Sequence, residues 1–332
     1  MRMVALASLL TLPTLEADLV RVEGALRRTV EAGDPFMTTV ASHLVPAGGK
    51  RLRPALAVCV GGLGGGPGPD EAVSDDVVLG ACAVELVHLG SLYHDDVMDE
   101  ARTRRNVESV NARWGNLVAI LAGDFLLARA SEIAASLGTE VAGLLAATIG
   151  ALCEGQVREL SQAFDVGRTE DAYLTAIQGK TAALMATACR VGAITAGLDR
   201  PTVEAVTRYG ERLGMVFQIV DDILDVVATD EELGKPAGND IVEGVYTLPV
   251  IRALASAETA TTLRALLRRH IEPDEVAEVR RLVRSNGAVP AAIDVAQRYA
   301  VEAVDALADV PRGPGVAALE ALATNLITSV PA

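Results

Sequence analysis

The chain has 332 residues, half of them hydrophobic but only 3% aromatic, and 44 Asp and Glu against 29 Lys and Arg leave a formal charge of −15. Such a composition fills a large core and excludes intrinsic disorder, and so acidic a surface argues against nonspecific nucleic-acid binding or attraction to anionic membranes. Any anionic ligand must therefore meet a local cluster of positive charge or bound metal ions.

The first residues, MRMVALASLLTLP, place one Arg before a short apolar stretch, but no convincing cleavage site follows and Glu16 and Asp18 come at once. A processed leader is therefore not expected. Leu15, Leu19, Val22 and Leu26 then recur with helical period, with Glu16, Arg21, Glu23 and Arg27 between them. A break at Gly33-Asp34-Pro35 leads to GGKRLRP (48–54), and GGLGGGPGPDE (61–71) reads as a flexible connection because it lacks a G-K-[ST] ending. Further helical stripes are predicted over 75–100, 116–136, 139–162, 170–197, 202–227, 259–271, 274–285 and 289–308. They are separated at Asp199-Arg200-Pro201, in the 229–247 segment and at Glu272-Pro273-Asp274. Strand-like alternation is nowhere sustained, so the expected fold is all-α, with residues 1–332 as one domain. Asp124, Glu140 and Arg190 interrupt the longest apolar runs before about 18 residues accumulate, so no transmembrane segment is expected. Cys59, Cys82, Cys153 and Cys189 form no C-x-x-C pair and read as buried thiols in a reducing compartment, which points to the cytoplasm.

One internal echo carries the chemistry. LVHLGSLYHDDVMDE holds Asp95, Asp96 and Asp99; far downstream, FQIVDDILDVV holds Asp221, Asp222 and Asp225. In each D-D-x-x-D the first and last carboxylates share a helix face, where their mutual repulsion inside apolar sequence calls for a cation. A single copy could be a solvated helix end, but two copies make that reading much weaker. Oxygen donors without His or Cys at chelating spacing favour a hard ion such as Mg2+, which keeps waters and bridges carboxylates to phosphate. Complementary charge follows in order: Lys50, Arg51 and Arg53 in GGKRLRP, Arg102, Arg104 and Arg105 in ARTRRN, Lys180 with Thr181 in QGKTAAL, and Lys235 with Asp240 in GKPAGND. Arg suits bidentate phosphate contact. From spacing alone, the 101–106 run could instead balance neighbouring Asp, and Lys180 could snorkel to the surface.

These motifs, in the order GGKRLRP, ELVHLGSLYHDDVMD, RR, LAGDFLLARA, GKT, FQIVDDILD, GKPAGND and TLP between about Gly48 and Pro249, closely resemble the all-trans polyprenyl diphosphate synthases. The resemblance implies a helical bundle around a deep central cavity, usually a homodimer, that joins isopentenyl diphosphate to an allylic prenyl diphosphate. It assigns Asp95, Asp96, Asp99, Asp221, Asp222 and Asp225 to Mg2+, three ions per active site, and Arg104, Lys180 and Lys235 to the allylic diphosphate. Lys50, Arg53, His88 and Arg105 would hold isopentenyl diphosphate, with Lys180, Thr181 and Gln218 near the developing cation. His88 lies two turns before Asp95 on the same face, although a buried structural histidine is the alternative there. His94 reads as a structural neighbour. One departure stands out: EGVYTLP has Val245 where the family often has Lys, so one cation on the allylic diphosphate is missing.

Gly90 and Ser91, five and four residues before Asp95, are small where bulky residues would floor the product tunnel. The expected product is geranylgeranyl diphosphate or longer, with a deeper wall near Val84, Val87 and the 116–136 helix. The N-terminal pattern and the GGLGGG insertion resemble long-chain bacterial enzymes that make quinone side chains. Two rivals are a class I terpene cyclase, disfavoured by the second D-D-x-x-D, the scarcity of aromatics and GGKRLRP, and a noncatalytic regulatory subunit, disfavoured by retention of nearly every charged motif.

Overall fold

Several helices begin where the sequence supplies caps. Asp34, Ser74 and Asp199 each accept a backbone N–H from the first turn of the helix they precede, and Pro35 and Pro201 sit where a missing N–H costs nothing. In this computed structural model, which describes residues 10, 12–49, 51–64, 72–233, 236–267, 271–328 and 330, the order is α1 (Leu15–Thr29), α2 (Pro35–Ala41), α3 (Leu52–Gly61), α4 (Asp75–Met98), α5 (Val110–Trp114), α6 (Asn116–Ser136), α7 (Thr139–Ser161), α8 (Glu170–Ile177) and α9 (Ala183–Thr195). There follow α10 (Arg200–Val227), α11 (Asp230–Leu233), α12 (Asn239–Glu243), α13 (Leu248–Ala255), α14 (Ala260–Leu266), α15 (Pro273–Ser285), α16 (Ala288–Ala306) and α17 (Pro314–Thr328). The all-α expectation holds. Among the described residues, strand structure is confined to a two-residue antiparallel ribbon, Thr103–Arg104 with Val107–Glu108, which turns the chain back after α4.

Helix α4 is the centre of the molecule. It is buried along most of its length and packs on α1, α3, α6 and α9. Helix α9 also packs along α10, so one element braces both helices that carry acidic motifs. Between α8 and α9 the chain makes a π turn, Gln178–Ala182. Such bulges recur at functional sites because the extra residue rotates the following side chains. Gly155 of α7 and Gly179 let this turn approach closely: a Cβ on Gly155 would lie 2.4 Å from the backbone nitrogen of Lys180.

One expectation, that of four buried thiols, needs correction. By length and apolar composition alone α4 and α7 each pass the test for a membrane-spanning helix, as core helices of water-soluble proteins also do. Helix α4 is nevertheless mostly buried in the protein, whereas α7 turns much of its surface outward. That outward face also exposes Cys153, so only Cys59, Cys82 and Cys189 are buried thiols.

Candidate active site

A cavity of about 870 Å3 opens between α4, the π turn, α10, the 101–105 segment and the start of α12. Helical phase decides what lines it. Glu85, His88, Leu92, Asp95 and Asp99 recur every three or four residues along α4 and share the cavity wall, and Gln218 and Asp221 face it from α10. Lys180 and Thr181 come from the π turn, Arg53 from α3, and Arg104 and Arg105 from the ribbon. Ten of the anticipated residues thus meet at one cavity: Arg53, His88, Asp95, Asp99, Arg104, Arg105, Lys180, Thr181, Gln218 and Asp221.

The other three aspartates sit behind the wall, each tied to a different partner. Arg104 Nε donates to Asp96 Oδ1 at 2.6 Å, while Asp96 Oδ2 is buried without a hydrogen-bond partner among the described residues. Asp222 accepts from the Tyr173 hydroxyl at 2.5 Å and from Gln218 Nε2 at 2.8 Å, and Gln218 Oε1 accepts from Thr181 Oγ1 at 2.7 Å. This chain of contacts fixes Thr181, Gln218 and Asp222 as one unit. Asp225 accepts the Asp240 N–H at 3.3 Å through Oδ2 and the Gly238 N–H at 2.9 Å through its carbonyl, anchoring the loop after α11 to α10.

Burial pushes the Asp95 carboxyl up to about 6 against the pull of Lys180, and burial also raises Asp96 and Asp99. Asp222 is pushed up to about 7 by burial, with the Tyr173 and Gln218 hydrogen bonds opposing. Burial lowers the Lys180 ammonium, but its hydrogen-bonded partner Glu159, with Asp95 and Asp99, more than offsets this and leaves it raised. Loss of solvent thus makes ionising the acidic wall costly even with Lys180 in place. Among the described residues, no group of three or more His, Cys, Asp or Glu forms a ready cage for a metal ion. Destabilised carboxylates, an orphaned Asp96 oxygen and an oxygen-only donor set fit a hard divalent cation that completes its shell with ligand oxygens and water.

The opposite end is basic. Gly49 (φ 138°) allows the loop to press on Arg105: an added Cβ would lie 2.7 Å from Arg105 Cζ, and Arg105 Nη1 donates to the Gly48 carbonyl. Burial, then Arg53 and Arg105, push the His88 imidazole well below its ordinary range, so it lines the cavity as a neutral ring. Backbone strain gathers here too, with positive φ at Arg51, Glu100, Arg105 and Asn106. Glu100 takes the left-handed position that ends α4, where glycine is usual, and the Ala101 N–H closes on the Asp96 carbonyl at 2.9 Å.

Lys50 and Lys235 lie outside the described residues. Ser91 is half-buried and its hydroxyl donates to the His88 carbonyl at 2.8 Å. Gly90 has a packing reason for being small: a Cβ there would come to 3.1 Å from both the Gly123 carbonyl oxygen and Leu127 Cγ, where α4 crosses α6. His94 shares that face, with Nε2 3.2 Å from the Ile120 carbonyl. Sequence reasoning missed Glu85, Glu159 and Tyr173. Glu85 is an isolated acid in an apolar helix, a visible signal, but Glu159, beside Arg158 in the polar end of α7, and Tyr173 had none. Near Val245, Arg168 Nη1 donates to the Tyr246 carbonyl at 3.0 Å while the guanidinium lies 5.4 Å from the Tyr173 ring centre.

The Polyprenyl synthetase family model matches residues 34–285. The chain is similar to the nonaprenyl diphosphate synthase of Mycobacterium tuberculosis, with 41% identity over 310 residues, covering 93% of this chain and 91% of that protein. Among solved structures it resembles a decaprenyl diphosphate synthase from Rhodobacter capsulatus (34% identity, TM-score 0.87, 96% of this chain and 98% of that one). It also resembles a polyprenyl synthase from Caulobacter crescentus complexed with calcium and isoprenyl diphosphate (35% identity, TM-score 0.90, 98% of each chain).

Proposed function

The chain belongs to the polyprenyl synthetase family, and from that premise we propose that the cavity between α4 and α10 joins isopentenyl diphosphate to an allylic diphosphate. It is a chain-elongating trans-prenyltransferase, like the long-chain synthases it resembles. The observation that carries the reading of the site is a shared opening: Asp95, Asp99 and Asp221, from motifs more than a hundred residues apart, face one cavity with Lys180, Arg53, Arg104 and Arg105.

The residues divide the work. Lys180 and Arg104 hold the allylic diphosphate beside the acidic wall, and their charge stabilises the leaving group as the allylic C–O bond breaks. Lys235 is proposed as a third contact. Thr181 and Gln218 turn oxygen atoms toward the resulting allylic cation. Lys50, Arg53, His88 and Arg105 hold isopentenyl diphosphate so that its double bond attacks the cation, forming the new C–C bond. A proton then leaves the adjacent carbon for the departing diphosphate, and the product is one isoprene unit longer. No strong base faces the cation among these groups, which protects it from quenching. Asp95, Asp99 and Asp221 on the wall, backed by Asp96, Asp222 and Asp225, would hold Mg2+, three ions in all, which would neutralise the diphosphate charge.

The product has four or more isoprene units, with Ser91 keeping its position four residues before Asp95 free of bulk, whereas at Gly90 the α6 crossing fills the space, and a quinone side chain is its proposed destination. The protein works in the cytoplasm, without a transmembrane segment, as a homodimer. Exposed Leu117, Ile120 and Leu121 of α6 and Val157 and Leu160 of α7 support that assembly, since such side chains together form an apolar face in need of a partner. Purified protein incubated with Mg2+, isopentenyl diphosphate and each allylic primer should give prenyl diphosphates identifiable by mass, and EDTA should abolish turnover. Failure of the chain alone to elongate any primer would overturn the reading.

A further inference from the structure

Arg51 lines the cavity, yet its guanidinium is fully engaged by the protein. Nε donates to Glu23 on α1, Nη1 to Glu85 on α4 at 2.5 Å, and Nη2 to the Val45 carbonyl at 2.9 Å. Its backbone is left-handed (φ 43°), at the residue that caps α3. A non-glycine residue is held in that conformation only by surroundings that over-determine it, and these three contacts are such surroundings. Glu85 is 1% exposed. Besides Arg51 it lies 3.9 Å from Arg105 Nη2, and the buried Arg53 Nε has no hydrogen-bond partner among the described residues.

The contacts form a connected path. Glu85 holds Arg51; Arg51 pins the turn that includes Gly48 and Gly49 between α1 and α4; and that turn is the mould in which Arg105 rests. On the proposed reading of the cavity, on which this inference rests, we infer that Glu85 is a positioning residue for isopentenyl diphosphate. It acts through Arg51 to set Arg53 and Arg105, and touches no substrate itself.

Charge and geometry make opposite demands here, which makes the inference testable. A carboxylate beside a diphosphate site repels the ligand, so if Glu85 acted only as a charge, Glu85→Gln would tighten binding. If it positions the arginines, the same substitution weakens binding, because Arg51 loses its charge-assisted partner and the turn loses its clamp. Isopentenyl diphosphate binding would be measured by titration calorimetry alongside KM values for both substrates, with thermal unfolding as a check on folding. Glu85→Gln should raise Kd and KM for isopentenyl diphosphate about tenfold or more, with the allylic KM within twofold of wild type. Arg51→Lys, which keeps the charge and loses the fork, should do the same, and the double variant should be no worse than the worse single. An unchanged or lowered Kd for isopentenyl diphosphate in folded Glu85→Gln overturns the inference, and should that variant not fold, Arg51→Lys decides by the same criterion. Wild-type protein that binds isopentenyl diphosphate but elongates nothing would instead fail the functional reading, leaving the calorimetric comparison to decide this one.

Discussion

Replacing Asp222 by Asn should make the metal-free protein more stable at pH 8 and leave it close to wild type at pH 5. Asp222 is 3% exposed, and its carboxyl is pushed from an ordinary 3.8 to about 7. At about 1.4 kcal/mol per pH unit, ionising it in the folded state costs roughly 4 kcal/mol. The sign follows from proton counting: between about pH 4 and 7 the folded chain keeps a proton that the unfolded chain has lost, so stability falls as pH rises through that window. The amide removes the titration but weakens the hydrogen bonds from Tyr173 and Gln218, a loss of about 1–2 kcal/mol. The net gain at pH 8 is about 2–3 kcal/mol, and with an unfolding entropy near 0.7 kcal/mol/K for 332 residues the midpoint rises by about 3–4 °C. At pH 5 the unfolded chain has already lost the proton that folded Asp222 keeps, which costs wild type about 1.6 kcal/mol, so the relief and the lost hydrogen bonds nearly cancel and the midpoint stays within about 1 °C of wild type. Scanning calorimetry on EDTA-treated protein from pH 5 to 8 reads both arms. Adding Mg2+ at pH 8 should stabilise wild type far more than the variant, whose turnover should drop by about a hundredfold or more. Parallel pH profiles for the two proteins would refute the assignment of burial as the cause.

Gly49→Ala should cost about 1–2 kcal/mol of stability and raise the KM for isopentenyl diphosphate, because its φ of 138° suits glycine and its Cβ would strike Arg105; an unchanged KM would count against the mould around Arg105. Ser91→Phe should shorten the product seen by mass spectrometry, and an unchanged chain length would place the tunnel floor elsewhere. Leu121→Asp, on the exposed face of α6, should convert a dimer to monomer in analytical ultracentrifugation, and a variant that still sediments as a dimer would move the interface off this face.

The sequence by itself determined the helical class and nearly all the chemistry. Uninterrupted helical period and missing strand alternation settle local structure, since 3.6-residue periodicity is a property of the chain and not of its neighbours. The i, i+4 spacing within each D-D-x-x-D put Asp95 with Asp99 on one face before any tertiary contact was known, and both line the cavity. Only the tertiary structure decided that the two acidic motifs open onto the same space, because residues more than a hundred positions apart meet only through the packing of α4 and α10 on α9. It alone separated the aspartates that face the cavity from Asp96, Asp222 and Asp225 behind it. Gly90 shows the limit in a single residue: its smallness is plain in the sequence, but whether a small residue opens a tunnel or admits a neighbouring helix depends on what stands opposite. Here that is the Gly123 carbonyl of α6, 3.1 Å from where a Cβ would be, and no spacing along α4 encodes it.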